Sequence, residues 1–276
     1  MKKLSIITIN YNNRDGLIKT ILSVVNQTYK EFEYLIIDGG SSDGSVEVIM
    51  EHADRINYWL SEPDNGIYNA MNKAIDVANG EYCIFMNSGD IFYSDDTLLN
   101  VAVELDGTDF VYGNTINSDG NIQYYFKNIT LKTLYFTALA HQSTFIKTEL
   151  LKRYHYDESL RIVSDWKFCL QTLILDNSSY KGIDIIISVF DISGLSYSNR
   201  DKLLSERKRV LESLFPIRVL EDMELLVNGY TYEDKLYIRI KHSKYNKFFY
   251  SFNVLIIKLF SLLKKNSIHE FPNKIQ

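Results

Sequence analysis

The sequence Asn-Ser-Gly-Asp at 87–90 contains the residue best suited to hold a metal ion. It follows an apolar run, 82–86, that predicts a buried strand. A carboxylate at the mouth of a parallel sheet, next to a glycine that permits close approach, suits a hard divalent cation that also binds diphosphate oxygens and water. That role would fall on Asp90. The alternative is that Asp90 only caps the turn before Ile91.

A second polar segment begins at Asp38, which closes another apolar run and precedes Gly-Gly-Ser-Ser-Asp-Gly-Ser at 39–45. Glycines let a backbone approach a ligand closely, and the N-terminus of the helix that follows favours an anion. The segment lacks the Gly-x-Gly-x-x-Gly spacing of a dinucleotide fingerprint. An ordinary strand-to-helix turn, capped by Ser42 or Asp43, is the competing interpretation.

Two further segments carry groups that could move or hold a proton. Asp165 begins an amphipathic stretch, where an acid is usually a cap or a first-turn residue that complements the helix dipole. His141 and Gln142 precede an apolar run that predicts a strand, and one histidine provides no metal site. Taken singly, each of these residues therefore has a purely structural explanation.

The framework that must position these segments is predicted by the hydrophobic pattern of the first third of the chain. Short runs rich in β-branched or aromatic residues alternate with stretches of helical spacing. The predicted strands are 4–10, 33–38, 56–61 and 82–87, and the predicted helices are 16–27, 45–52 and 67–79. Strands in such a series lie parallel and bind ligands at their carboxyl ends. We therefore expect the polar residues at 10–12, 38–40 and 87–90 to share one rim.

Beyond residue 96 the alternation loosens into an α+β half. The predicted elements are helices over 96–105 and 163–175, strands over 110–114 and 143–147, and a hairpin around 118–120. No linker rich in Pro or Gly separates the halves. The pattern therefore predicts a single α/β domain over 1–200, followed by a helical, basic C-terminal extension over 201–276.

Composition excludes several classes of protein. The 276 residues are 46% hydrophobic and include only 3 Pro, 13 Gly and 2 Cys, which is typical of a folded globular chain rather than a disordered, collagenous or disulfide-framed one. We expect a cytoplasmic location, because no apolar run reaches the ~18 residues of a spanning helix. Residues 235–276 carry nine Lys or Arg and one acid, so this segment is +8 and, with a chain total of −5, the remainder is −13. An acidic body argues against nucleic acid as a partner.

In their order and spacing, the polar segments resemble those of bacterial family 2 glycosyltransferases, the inverting, nucleotide-sugar-dependent class with the A-type glycosyltransferase fold. The segments that carry the resemblance are IITINYN at 6–12, SVVNQTY at 23–29, YLIIDGGSSDGS at 34–45, SEPDNGIYNAMNK at 61–73, GEY at 80–82, NSGD at 87–90 and SDW at 164–166. The resemblance implies a Rossmann-like, mostly parallel sheet flanked by helices, with a nucleotide-sugar-binding half over 1–115 and an acceptor-side half over 116–200.

The resemblance also implies a nucleotide-diphosphate sugar donor, with uridine as the expected base. The positions that match the donor site are Thr8, Asn10, Tyr11, Asp38, Asp64, Asn72, Lys73, Ser88 and Gly89. Asp90 would bind the diphosphate through Mn²⁺ or Mg²⁺. Ser88 departs from the usual Asp-x-Asp motif because it occupies the first acidic position, so the expected metal site keeps fewer charges.

The family position of the catalytic base falls on Asp165. An inverting transfer is a single displacement, in which one carboxylate takes the proton of the acceptor hydroxyl while charge on the leaving phosphate is stabilised. His141, Gln142 and Trp166 match the acceptor side, and Ser-Gly-Leu-Ser at 193–196 matches a stretch that orders over the donor. The implied acceptor of the hexosyl or N-acetylhexosaminyl group is a saccharide or polyprenyl-linked sugar in surface polysaccharide synthesis.

The basic tail contains a stretch, 246–265, that predicts an amphipathic helix. Its apolar face comprises Phe248, Phe252, Leu255, Ile256, Leu259 and Leu263, and lysines cluster at its ends. This pattern is typical of a helix that lies on an anionic membrane surface, so we expect peripheral contact with the inner membrane face. The alternative is docking on the acidic body.

Two other classes fit parts of the sequence. A non-catalytic nucleotide-sugar-binding or scaffold protein would keep the fold, but it has no physical need of both Asp90 and Asp165. A nucleotidyltransferase would carry a Gly-rich, basic phosphate loop near the N-terminus, and Asn-Asn-Arg-Asp at 12–15 is not one. The sequence therefore favours the metal-dependent glycosyltransferase.

Overall fold

The structure is a computed structural model that describes residues 3–117, 119–190, 199–228, 248, 251–252 and 256. The chain divides into two compact units, Met1–Leu214 and Phe215–Gln276. The first unit extends past residue 200, where we predicted the catalytic domain to end. It does so because the side chain of Glu206 accepts hydrogen bonds from the backbone of Arg161 and Ile162.

The first unit is built on one sheet. Its strands are β1 (Leu4–Asn10), β2 (Phe32–Asp38), β3 (Tyr58–Ser61), β4 (Tyr82–Phe85), β5 (Ile91–Phe92), β6 (Phe110–Asn117), β7 (Ile122–Gln123), β8 (Thr144–Lys147) and β9 (Tyr180–Phe190). The strand order is β3-β2-β1-β4-β8-β6-β9-β5, and β7 pairs with β6.

The first four strands of that order are parallel, in a register that sets Asn10 beside Asp38 and Asp38 beside Ser61. β8 then runs antiparallel between β4 and β6, β9 runs parallel to β6, and β5 closes the sheet antiparallel to β9. The prediction of a mostly parallel α/β sheet is confirmed. Every residue of β1 and β4 is buried, which is why both strands read as continuous apolar runs.

Helices cover the sheet. Those of the first unit are α1 (Arg14–Val25), α2 (Ser45–Glu51), α3 (Ile67–Val77), α4 (Thr97–Ala102), α5 (Leu131–Phe136), α6 (Thr148–Tyr154), α7 (Ser164–Cys169) and α8 (Arg200–Leu214). Short 3-10 helices lie at Ala53–Arg55 and His141–Ser143, and α7 continues as a π-helical segment, Leu170–Leu175. α1 begins after Asn13, whose side chain accepts a hydrogen bond from the Gly16 amide.

A core of buried residues lies between the sheet and the helices α1, α2 and α4. Alternate residues of β1 and β2 point into it, among them Ile6 and Ile36, and meet Leu17 and Ile21 of α1. This alternation is the period of two that a strand imposes on its side chains. The same periodicity sends the neighbouring residues toward the other face, so that the strands are held rigidly from both sides.

In the second unit the structure describes α9 (Ile217–Asn228) and four residues of the predicted amphipathic helix. The rings of Phe248 and Phe252 stack with their centroids 6.2 Å apart, as expected for side chains one helical turn apart. The rest of 246–265, and the predicted stretch at 193–196, lie outside the described residues. No helix in the described ranges is long and apolar enough to cross a membrane.

Candidate active site

The carboxylate of Asp38, at the end of β2, is completely buried and surrounded by donors. It accepts hydrogen bonds from the Ser41 and Ser61 hydroxyls, both at 2.6 Å, and from Asn10 Nδ2 at 2.7 Å. The backbone amides of Gly40 and Ser41 donate to it as well. Burial alone would raise the pKa of Asp38, but these hydrogen bonds outweigh it and lower the pKa below its usual value.

The same network reaches the end of β1 and the loop after β4. Asn10 Oδ1 accepts a hydrogen bond from the Ser88 hydroxyl at 2.8 Å, and Asn13 Nδ2 donates to the Ser88 carbonyl at 2.9 Å. We call Asn10, Asp38, Ser41, Ser61 and Ser88 the strand-end network. Its hydrogen bonds confirm that the polar residues at three strand ends share one rim.

Serine at the first position of the acidic motif has a physical reason. The Ser88 hydroxyl is a donor to Asn10 Oδ1, and Asn10 is turned so that its amino group meets Asp38. An ionised carboxylate at position 88 has no proton to donate and would face the amide oxygen. Ser88 therefore completes the strand-end network instead of supplying a second metal-binding charge.

A cavity of about 1170 Å³ opens beside this network. The predicted residues that line it are Tyr11, Asp64, Ser88, Gly89, Asp90, His141, Gln142, Asp165 and Trp166. Sites for a single small ligand are usually ~300–1,000 Å³. This cavity is thus large enough to hold a donor together with part of an acceptor.

His141 stands between two carboxylates at the centre of the cavity. Its Nε2 lies 3.9 Å from Asp90 Oδ2, and its Nδ1 lies 3.8 Å from Asp165 Oδ2. Burial would lower the pKa of His141, but the interactions with Asp165 and Asp90 outweigh it and raise the pKa. Asp90 and Asp165, which the sequence analysis singled out in separate segments of the chain, therefore lie on either side of the His141 ring.

The Asp165 carboxylate is oriented by two donors. Its Oδ1 accepts hydrogen bonds from the Tyr68 hydroxyl at 3.1 Å and from the Trp166 amide at 2.8 Å, which leaves Oδ2 as the oxygen nearer to His141. Burial and the Asp165 charge raise the pKa of Tyr68 well above its usual value, so this tyrosine remains a donor. Asp165 lies in the first turn of α7 and faces the cavity.

Residues 5–164 match the model of a known family, whose description is Glycosyl transferase family 2. The chain belongs to that family. A PGL/p-HBAD biosynthesis glycosyltransferase of Mycobacterium bovis is 27% identical over 193 residues, 67% of this chain and 75% of that protein. An uncharacterized glycosyltransferase of Mycobacterium tuberculosis is 40% identical over 105 residues, 38% of this chain and 40% of that protein.

Solved structures share the fold of this family 2 glycosyltransferase. The S. aureus TarS chain is 20% identical with a TM-score of 0.60, and the match covers 78% of this chain but only 44% of that one. TarS 1-349 in complex with UDP-GlcNAc has a TM-score of 0.61 at 17% identity and covers 87% and 81% of the two chains. The mannosyltransferase PcManGT of Pyrobaculum calidifontis, in complex with GDP-Man and Mn²⁺, has a TM-score of 0.60 at 15% identity and covers 76% and 63%.

Three predicted donor residues of the glycosyltransferase lie beneath the cavity surface and not on it. Thr8 is fully buried, and its hydroxyl donates to the Met86 carbonyl at 2.8 Å. Asn10 and Asp38 are buried in the strand-end network. The structure thus uses these side chains to fix the strand ends, and the contacts we expected them to make with a nucleotide stay predictions.

Asn72 and Lys73 of α3 also lie off the cavity surface. Asn72 Nδ2 donates to the Tyr156 carbonyl at 2.9 Å, and Lys73 pairs with Glu62 at 2.7 Å. Met71 lines the cavity, and successive residues of a helix are ~100° apart, so the two residues after it turn away from the site. The contacts with a nucleotide that we expected of Asn72 and Lys73 therefore stay predictions.

Gly39 allows two cavity residues to approach the end of β2. A Cβ at this position would lie 2.5 Å from Asp64 Oδ2 and 3.1 Å from the Tyr11 ring. Both contacts are with side chains that line the cavity. Any larger residue would therefore push this wall of the cavity outward.

Two arginines that the sequence did not single out line the same cavity, Arg161 and Arg207. Arg161 donates through Nη1 to the Asn65 carbonyl. Arg207, on α8, places its guanidinium carbon 4.7 Å from the centre of the Trp166 ring. Trp166 is itself fixed by a 2.6 Å hydrogen bond from Nε1 to the Leu134 carbonyl.

The oxygens near Asp90 fit a divalent cation that is bound mainly through ligand phosphates and water. Among the described residues, no cluster of three His, Cys, Asp or Glu side chains could hold a metal by itself. Asn87 Oδ1 is a buried oxygen with no hydrogen-bond partner in the described part of the chain, and Asn87 lines the cavity with Asp90. Mg²⁺ is commonly bound by one or two carboxylates together with substrate phosphates and water, and the Asp90 carboxylate beside the Asn87 oxygen fits that pattern.

Proposed function

We propose that this protein is an inverting, metal-dependent glycosyltransferase that moves a sugar from a nucleotide-diphosphate sugar to an acceptor hydroxyl. The observation that carries the proposal is the placement of Asp90 and Asp165 in one cavity, on opposite sides of His141. An inverting displacement needs a base on the acceptor side and charge stabilisation at the leaving group. Two acids with these separate positions meet both needs.

Asp165 is the proposed base. Tyr68 and the Trp166 amide hold its Oδ1, so the carboxylate keeps one orientation and presents Oδ2 to the cavity. A fixed carboxylate lowers the entropy cost of aligning base, hydroxyl and anomeric carbon. The acceptor oxygen would form the new glycosidic bond while its proton passes to Oδ2 and the bond between the anomeric carbon and the diphosphate oxygen breaks.

Asp90 and Asn87 are the residues that would hold Mn²⁺ or Mg²⁺. The ion would neutralise charge that develops on the departing diphosphate. Tyr11, Gly39 and Asp64 line the part of the cavity next to the strand-end network, and we assign the nucleoside to it. We propose uridine as the base, with support from the UDP and UDP-GlcNAc held by the TarS structures.

We further propose that the acceptor is a lipid-linked saccharide reached at a membrane surface. The support is the sequence of 246–265, with its aromatic face and terminal lysines. Sedimentation with vesicles that contain an anionic lipid would test this contact. We expect deletion of 246–276 to abolish sedimentation, whereas equal sedimentation of the shortened and complete proteins would overturn it.

The donor site is tested by a thermal-shift panel of uridine, guanosine, cytidine and thymidine diphosphates, with and without Mn²⁺. A ligand at 100 times its dissociation constant stabilises a protein by about 2.7 kcal/mol, which is readily detected. We expect a metal-dependent shift with uridine diphosphate. The anomeric configuration of the transferred sugar, followed by NMR, then tests inversion.

The alternative is a non-catalytic protein that binds nucleotide sugars and retains the fold. It predicts the same thermal shift but no turnover of the donor by any acceptor or by water. A complete absence of shifts would contradict both interpretations.

A further inference from the structure

The α7–α8 wall of the cavity, which we define as Asp165, Trp166 and Arg207, holds a cation with a hydrogen-bond donor that has no partner among the described residues. Of the described residues that line the cavity, Arg161 and Arg207 are the ones with a permanent positive charge. The structure shows no ion pair for either arginine within the described ranges. Neither the proton transfer nor the metal binding proposed above uses the positive charge of these arginines.

The guanidinium of Arg207 makes few hydrogen bonds with the described residues. Its Nη1 donates to the Tyr135 carbonyl at 3.4 Å, and its buried Nε has no hydrogen-bond partner among the described residues. Burial lowers the pKa of Arg207 while the nearby Asp165 charge opposes that shift, and a guanidinium stays charged in either case. Leaving a buried charged donor unpaired is unfavourable, so the arrangement favours binding of an oxyanion.

The guanidinium is nevertheless held in place. It stacks on Trp166, whose ring is fixed by its bond to Leu134. The preceding residue, Glu206, is buried and accepts hydrogen bonds from the backbone amides of Arg161 and Ile162, each as short as 2.9 Å. These contacts fix α8 against α7 and the segment before it, and the planar fork of Arg207 is preorganised for a carboxylate or phosphate.

Arg207 stacks on the residue that directly follows the proposed base. An anion bound there would lie on the acceptor side of the cavity, near the hydroxyl that Asp165 activates. We propose that the acceptor carries a phosphate or carboxylate group that Arg207 binds, with Arg161 as the second cation. The proposal rests on the proposed function and adds a substrate class to it, since a neutral sugar would offer no oxyanion to the Arg207 Nε donor, which has no partner among the described residues.

The test compares glucose with glucose 6-phosphate and glucuronate as probes, by calorimetric titration of the protein saturated with UDP and Mn²⁺. We expect the anionic sugars to bind at least ~10-fold more tightly than glucose. Arg207→Gln should remove that preference, Arg161→Gln should reduce it, and Arg207→Lys should retain part of it. UDP affinity should change less than ~2-fold in all three variants.

Arg209→Gln is the matched control, because Arg209 is an exposed arginine on the same helix that lies outside the cavity lining. It should keep the preference for anionic sugars. Equal binding of the neutral and anionic probes by the unaltered protein would overturn the proposal. An anion preference that UDP abolishes, or a loss of UDP affinity in Arg207→Gln, would assign the cation to the donor diphosphate and overturn it too.

Failure of the proposed function is a separate result. In that case no nucleoside diphosphate binds, yet the preference for anionic sugars can still be measured on the nucleotide-free protein. Thermal unfolding of each variant shows whether it has folded. If Arg207→Gln does not fold, Arg207→Lys carries the test, since it keeps the charge and loses the planar fork.

Discussion

The strand-end network lies beside the cavity that the α7–α8 wall lines, and the two regions differ in how completely their polar groups are paired. Asp38 receives five hydrogen bonds in the first region. In the second, Arg207 Nε is buried without a partner among the described residues. The first region is complete before any ligand binds, whereas we propose that the second is completed by what it binds.

This difference separates two kinds of substitution. A change in the strand-end network removes bonds that hold the fold, so its main effect should be on the free energy of unfolding. A change in the α7–α8 wall removes few bonds within the protein, so its main effect should be on turnover or binding. Each prediction below tests whether effects on stability and effects on turnover or binding separate in this way.

The largest expected effect is that of Asp165→Asn on transfer. An amide cannot take the proton of the acceptor hydroxyl, and a general base contributes a factor of ~10²–10⁴ to the rate. We expect turnover to fall by about 10³ while uridine diphosphate still binds and the thermal midpoint stays close to that of the unaltered protein. Asp119→Asn, an exposed change outside the cavity lining, should leave turnover intact. Normal turnover in Asp165→Asn would remove this residue as the base.

Asp38→Ala should mainly lower the free energy of unfolding, in contrast to Asp165→Asn, which should mainly lower turnover. It removes the Asp38 acceptor from the buried amino group of Asn10 and from the hydroxyls of Ser41 and Ser61. Hydrogen bonds to a charged group contribute ~1.5–3 kcal/mol each, partly recovered by rearrangement. We expect urea denaturation to show a loss of about 3 kcal/mol. A loss below about 0.5 kcal/mol would show that the network does not hold the strand ends.

Ser88→Asp restores the acid that the usual motif carries and should still destabilise the metal-free protein. The new carboxylate would face Asn10 Oδ1, where the Ser88 hydroxyl now donates. We expect a cost of about 1–2 kcal/mol without metal and a smaller one with Mn²⁺, because a bound cation would offset the added charge. Greater stability of Ser88→Asp in the absence of metal would contradict this account of the serine.

The smallest expected effect is on the pH dependence of stability. The pKa of Asp38 is lowered in the folded state from an ordinary value of 3.8, because its hydrogen bonds outweigh its burial. Its stabilising contribution is therefore complete well above 3.8 and decreases as the pH falls through the lower folded value. Unfolding of the unaltered protein and of Asp38→Asn, followed from pH 7 to pH 3, should converge at low pH. Parallel curves would show that the carboxylate is not the group responsible.

Parts of the fold buried on both sides could be predicted from the sequence with accurate limits. β1 begins and ends at the predicted residues, because its uninterrupted apolar run is the pattern of a strand that is buried on both faces. β9 received no predicted limits, since Lys181, Gly182 and Asp184 interrupt its apolar residues. Its place between β6 and β5 depends on pairing with strands far away in the chain.

The candidate site was predictable to the extent that a motif carried it. Asp90 and Asp165 stand in segments that match the family, and both line the cavity. Arg207 stands in a highly charged helix that looks fully exposed. The sequence feature that could have identified Arg207 is the helical spacing of positions 203, 206, 207 and 210. These are the inward-facing positions of α8, and two of them are charged. Which of those charges meets a cavity depends on how α8 packs, which periodicity does not reveal.

The bonds from Glu206 to the segment before α7 also bear on how far the chain can be shortened. A fragment that stopped at residue 199 would keep the whole matched region, 5–164, together with Asp165, yet the amides of Arg161 and Ile162 would lose their acceptor. Trp166 would lose the arginine that covers its ring. The smallest autonomous piece that preserves the site therefore extends through α8, and sequence similarity alone would set its boundary too early.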